Sequence, residues 1–126
     1  MAGKRILVID DEDDIREIAQ LSLEMVAGWE VLTASSGGEG LQVASVQQPD
    51  VILLDVMMPE MDGPATFRQL QADSSTKHIP VILLTAKVLS SDKRLFSDLG
   101  VSAIVSKPFD PMTLAAEIAE TLGWAG

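Results

Sequence analysis

The sequence contains no cysteine, no tyrosine and a single histidine, His78. Without cysteine there is no disulfide framework, no thiolate zinc site and no cysteine nucleophile, and such a chain suits the cytosol. Basic charge is scarce as well: nine Lys and Arg stand against 19 Asp and Glu, a formal net charge of −10. A domain so charged repels phosphate backbones, and the basic stripe that direct nucleic-acid binding requires is not found. The local exception, Lys87, Lys93 and Arg94, reads as a solvated helix surface or a contact for an acidic protein. Long apolar runs are missing too. The run after "MAGKR" spans only Ile6 to Ile9, too short for a signal-peptide core or a membrane helix, so a cytoplasmic chain without membrane contact is expected. His78 lies beside Pro80 in an expected loop, a poor place for a phosphohistidine or a metal ligand.

What is present is apolar and ordered. The 126 residues suit one domain over 1–126, with enough apolar content for a core that needs no staple. Five runs read as strands: "RILVID" to Asp10, "EVLTAS" after Trp29, "DVILLD" to Asp55, "PVILLTA" to Ala86 and "VSAIVS" to Ser106. The first, third and fourth are nearly continuous Val, Ile and Leu, as in parallel strands covered on both faces. Between them, Ile15, Ile18, Leu21 and Met25 predict a helix closed by Gly28. Ser36 and Glu39 make a capping-box pattern ahead of Leu41, Ala44 and Val46, in a segment weakened by Gly37, Gly38 and Gly40. Gly63 and Pro64 open a third helix, Ser90 or Ser91 caps a short fourth ending at Gly100, and Asp110 with Pro111 starts the last, Phe109 stapling onto Leu114. The class is therefore α/β, a doubly wound five-stranded parallel sheet, (βα)5 and flavodoxin-like, with strand order 2-1-3-4-5.

In such a sheet ligands bind at the carboxyl ends of the strands. Strand one ends in Asp10 and Asp11, strand three in Asp55, strand four in Thr85, and strand five just before Lys107. Three carboxylates, a hydroxyl and an ammonium thus meet at one edge. Close carboxylates do not all stay ionised without a cation, and an all-oxygen set suits Mg²⁺ beside a phosphate. Glu12, Asp13 and Asp14 are expected to sit in the first turn of the next helix, favoured there by its dipole. Met57, Met58 and Met61 read as packing and loop residues, soft side chains beside a hard site.

The pieces "VIDDEDDIR", "DVILLDVMMPEMDG", "PVILLTA" and "SKPFD", in this order and spacing, resemble the receiver domain of two-component response regulators over essentially the whole chain. The resemblance implies that Asp55 takes a phosphoryl group from a sensor histidine kinase or a histidine phosphotransfer protein. It implies Mg²⁺ held by Asp11, Asp55 and the Met57 carbonyl, with Asp10 acting through water. It implies that Thr85 binds a phosphoryl oxygen and moves inward, that Lys107 pairs with Asp55 or its phosphate, and that the bond before Pro108 is cis. A protein target is then read through the fourth helix, fifth strand and fifth helix, and a phosphorylation-dependent dimer is a further implied partner. Where the family often carries an aromatic residue on strand five, this chain has Ile104, and Met57 and Lys87 occupy the variable positions two beyond Asp55 and Thr85.

Such a domain is not an enzyme beyond its own phosphorylation and dephosphorylation. Two other readings fit parts of the pattern. A phosphatase of the haloacid dehalogenase type also uses a phospho-aspartate, but needs Asp-x-Asp after its first strand and usually a cap domain, whereas the candidate nucleophile here is on strand three. A receiver-like docking module that never takes phosphate would not need all five site residues.

Overall fold

Runs of Val, Ile and Leu form the strands in the computed structural model, which describes residues 4–86 and 98–124. The elements are β1 (Arg5–Ile9), α1 (Asp13–Ala27), β2 (Glu30–Ala34), α2 (Gly37–Gln47), β3 (Val51–Asp55), α3 (Gly63–Ala72), β4 (Val81–Thr85), β5 (Ala103–Ser106) and α4 (Leu114–Leu122). The strands are all parallel and ordered β2-β1-β3-β4-β5, the predicted doubly wound topology. The predicted helix opening at Ser90 or Ser91 lies outside the described residues except for its end before Gly100, as do Lys87, Lys93 and Arg94.

Every residue of β3 and β4 is buried, so these central strands have no solvent face. Strand alternation divides the core in two. Leu7, Ile9, Ile52, Leu54 and Leu83 pack on one side with Ala44, Phe67 and Leu70 of α2 and α3. Ile6, Val8, Leu53, Ile82 and Leu84 pack on the other with Ala19 and Leu23 of α1 and Leu114 and Ile118 of α4. Each of the Leu, Ile, Val and Phe side chains contributes about 1.5–3 kcal/mol when fully buried, which explains how the fold forms without a disulfide. Far from the carboxyl edge, Trp29 and Trp124 meet edge to face at 5.3 Å, with Lys4 Nζ 4.7 Å from the Trp124 ring centre. This cluster fastens the start of β2 to the end of α4.

Local signals set the helix ends. Gly28 closes α1 at φ 70°, where a glycine escapes the strain of a side chain. Ser36 caps α2 by accepting from Glu39 N at 3.1 Å, but Glu39 Oε1 accepts from Ser35 N and Oγ rather than closing the box on Ser36. The glycines that made α2 look weak serve close approach: a Cβ on Gly40 would come 2.3 Å from Ile9 Cδ1. Asp62 caps α3 through Ala65 N at 2.9 Å, with Pro64 in the first turn.

The helix expected from Ile15, Ile18, Leu21 and Met25 forms and closes at Gly28; Ile18, Leu21 and Met25 are exposed on it, and it buries Ala19, Ser22 and Leu23. Its apolar arc is wider than the strip that is covered. Ser22 Oγ also donates to the Pro111 carbonyl. Asp110, expected to cap the last helix, instead organises the turn before it, its Oδ1 accepting from Met112 N at 2.8 Å; regular helix starts at Leu114.

A methyl group at Gly63 would lie 2.6 Å from the Asp55 carbonyl oxygen and 2.8 Å from Val56 Cα, both backbone atoms, whereas at Gly38 it meets nothing within 4 Å. Gly63→Ala is therefore expected to lower stability by about 1–3 kcal/mol, and Gly38→Ala to raise it by about 0.5–1 kcal/mol. Urea denaturation midpoints of the two variants check the opposite signs.

Candidate functional site

The carboxyl edge is built by strand order. Asp10 follows β1 directly and is held there by its own N–H, which donates to the Ala34 carbonyl at 3.1 Å. Asp55 ends β3 opposite Leu84, so Thr85 lies one residue further along the neighbouring strand. Lys107 follows β5, its N–H donating to the Thr85 carbonyl at 2.9 Å. The Lys107–Pro108 bond is cis.

Asp10 and Asp55 are 0% and 2% exposed, figures that matter because carboxylates are almost never buried without partners. The partner is Lys107. Its Nζ stands 2.9 Å from Asp10 Oδ2, 3.1 Å from Asp55 Oδ1 and 3.1 Å from Glu12 Oε1. The contact with Asp10 Oδ2 is an ion pair, and that oxygen accepts no hydrogen bond. Asp10 Oδ1 accepts from Glu12 N at 2.9 Å, and Arg16 Nη1 donates to the Asp10 carbonyl at 2.8 Å.

Burial pushes the Asp55 carboxyl up to about 6, the Asp10 charge adds to this, and Lys107 pulls against both. For Lys107, burial alone would lower the pKa, but the carboxylates of Asp10, Asp55 and Glu12 together raise it, so the ammonium is a fixed positive charge.

One ammonium does not balance this many acids. Asp10, Asp11 and Asp55 each place a carboxylate oxygen within 4.8 Å of the others, and Asp11 is exposed, giving the cluster an opening to solvent. Asp10 Oδ2 and Asp55 Oδ2 are buried without a hydrogen bond. All-oxygen donors, partly exposed and in excess of positive charge, fit a hard divalent cation that retains water, such as Mg²⁺.

The structure thus brings Asp10, Asp11, Asp55 and Lys107 together as the sequence predicts. Thr85 is buried on the adjacent strand end, 1% exposed. The Met57 side chain is exposed, Met58 is buried, and His78 is exposed on the loop before β4. The expectation for Glu12 is corrected: it is the N-cap of α1 but makes no capping bond with its side chain, and its carboxylate pairs with Lys107 instead. The reading of the acids as dipole partners holds in position for Asp13 and Asp14, both in the first turn. Sequence reasoning also missed Arg16, which clamps the Asp10 carbonyl; its place one helical turn after the acids was the available signal.

Comparison with known proteins gives a consistent picture. A family model described as the response regulator receiver domain matches residues 6–119. The alkaline phosphatase synthesis transcriptional regulatory protein PhoP of Bacillus subtilis is 40% identical over 116 residues, covering 92% of this chain and 47% of that protein. The phosphate regulon transcriptional regulatory protein PhoB of Pseudomonas aeruginosa is 40% identical over 126 residues, covering 100% of this chain and 55% of that protein. The chain spans about half the length of the curated relatives it matches. Among solved structures, the chemotaxis protein CheY4 of Vibrio cholerae superposes with a TM-score of 0.88 at 32% identity, covering 95% of this chain and 99% of the other. The receiver domain of the Pseudomonas aeruginosa sensor histidine kinase PA1611, solved with magnesium coordinated in its active-site cleft, gives 0.85 at 27% identity, covering 97% and 99%.

Two solution tests follow from the charge cluster. Mg²⁺ is expected to raise the melting temperature, since a ligand at a hundred times its Kd stabilises by about 2.7 kcal/mol, and Asp55→Asn should respond less. A parent melting temperature indifferent to millimolar Mg²⁺ would count against the cation site. The second test uses chelator and pH. The folded Asp55 carboxyl holds its proton up to about 6 and the unfolded one only to 3.8, so the folded state binds more protons in that window. Its contribution to stability therefore falls as pH rises from 3.8 to about 6, and this part of the slope should vanish in Asp55→Asn when denaturation is followed across that range.

Proposed function

Because the chain belongs to the response regulator receiver domain family, we propose that residues 1–126 form one phosphoacceptor domain, in which Asp55 takes a phosphoryl group from the phosphohistidine of a sensor histidine kinase or a histidine phosphotransfer protein. The observation that carries this reading is Asp55 Oδ2: a buried carboxylate oxygen without a hydrogen bond, on a residue whose other oxygen faces an ammonium 3.1 Å away. An oxygen with no proton donor on it keeps its lone pair for attack.

In the proposed step an Asp55 oxygen forms a bond to phosphorus as the phosphorus–nitrogen bond of the phosphohistidine breaks. The electron pair of that bond leaves with the imidazole. Phosphoryl transfer asks the protein chiefly for position and charge, not covalent assistance. Lys107 neutralises the equatorial oxygens, its ammonium already placed. Thr85, at the end of β4, offers a hydroxyl to the same group. Asp11, Asp55 and the Met57 carbonyl would hold Mg²⁺ directly and Asp10 through water, and Mg²⁺ when bound supplies further positive charge to the phosphoryl oxygens. The divalent ion in the PA1611 receiver supports that part of the reading.

Output is then a change of surface. Inward movement of Thr85 would repack Ile104, which lies on β5 against the core, and pass to the face of β5 and α4. Ile104 repacks there without a rotating aromatic ring. The recipient is a protein target, with a phosphorylation-dependent dimer as one form of that output. The domain itself, at net charge −10, does not contact nucleic acid, even though relatives such as PhoB are named as transcriptional regulators. It works in the cytoplasm without membrane contact; no described helix is long and apolar enough to cross a membrane. Its chemistry ends with its own phosphorylation and dephosphorylation.

Incubation with Mg²⁺ and acetyl phosphate is expected to add a single phosphoryl group by intact mass, and Asp55→Asn to abolish it with the fold intact by circular dichroism. Turnover of unrelated phosphate esters would favour the phosphatase, no adduct the docking module, and labelling that survives in Asp55→Asn would remove the assignment of the nucleophile.

A further inference from the structure

Glu12 occupies a capping position without using its side chain to cap. Its backbone is fixed from both sides, the N–H donating to Asp10 Oδ1 at 2.9 Å and the carbonyl accepting from Arg16 N at 3.1 Å. The carboxylate is free to be spent elsewhere, and it accepts a hydrogen bond from Lys107 Nζ at 3.1 Å across 95 residues of chain.

Three carboxylates surround the ammonium, and that of Glu12 accepts a hydrogen bond from it. A phosphoryl oxygen that approaches Lys107 competes with them for its charge and its hydrogens. The Asp10 and Asp55 side chains are buried and cannot leave, whereas the Glu12 side chain is 60% exposed and rotates into water at little penalty. Glu12 is the partner that yields. Until it does, it holds Lys107 and places a negative charge at the mouth through which an anionic donor enters.

We propose that Glu12 is a positioning residue that restrains Lys107 in the unphosphorylated protein and slows phosphorylation of Asp55 by small anionic donors. The proposal rests on the phosphoacceptor reading above, and the two fail differently. It predicts that Glu12→Gln, which keeps the length and removes the charge, labels about three- to tenfold faster with acetyl phosphate at subsaturating concentration. The half-saturating donor concentration falls, and the rate depends less on ionic strength. Glu12→Ala behaves alike. Glu24→Gln, the same change of net charge in the last turns of α1, labels as the parent does. A residue that served only to start α1 would move the melting temperature and leave the donor and salt dependence alone.

The experiment follows intact mass with time at saturating Mg²⁺, across acetyl phosphate and sodium chloride concentrations. A parent that labels together with Glu12 variants that label no faster, or a Glu24→Gln that accelerates equally, overturns the role of Glu12. A parent that does not label at all overturns the phosphoacceptor reading, and the restraint falls with it.

Discussion

The constraint on which the rest of the structure depends is the burial of two carboxylates, Asp10 and Asp55, around one ammonium at the end of a parallel sheet. Removing charges from water is expensive, and a buried pair is tolerated only when geometry and additional bonds compensate. The compensation here is incomplete. Two carboxylate oxygens remain without a hydrogen bond, and burial pushes Asp55 up to about 6. A folded domain that keeps such an arrangement has stability held back at this edge of its sheet, as sites with tuned carboxyl groups do. The same incompleteness makes the cluster receptive to a cation or to a group carrying compensating donors.

The remainder of the fold serves to hold that edge still. Central strands buried on both faces cannot shift register without moving every side chain out of its layer, so Asp10 and Asp55 are as fixed as the core beneath them. Lys107 is tied through its own N–H to the Thr85 carbonyl, and Asp10 through its N–H to Ala34. Gly63 lets the start of α3 press against the backbone of Asp55 and Val56, so the loop between β3 and α3 is braced. At the mouth the restraint relaxes: Asp11, Glu12 and Met57 are exposed.

Much of this was legible in the sequence because it is local or periodic. Unbroken Val, Ile and Leu runs announce strands with two buried faces, and acids at run ends announce the carboxyl edge. What was misread or left open depended on relations that periodicity does not carry. The apolar arc of α1 is wider than the strip that is covered, and nothing in the spacing of Ile18, Leu21 and Met25 says that Ala19 and Leu23 face inward instead. Asp110 has the chemistry of a helix cap, yet the chain takes a further turn before α4 begins. Glu12 looks like its acidic neighbours until a lysine 95 positions away arrives beside it.

The sequence by itself determined the class of fold, the order of its elements and the identity of the acids, hydroxyl and ammonium at the strand ends, because each follows from the local preference of a segment for burial or for a turn. Only the tertiary structure decided which carboxylates share Lys107, which of their oxygens lack a hydrogen bond, and which face of α1 is covered. Those are properties of distance between segments remote in the chain. They are settled by sheet order and packing, which bring β1, β3 and β5 to one edge and leave Glu12 rather than Asp13 or Asp14 within reach of the ammonium.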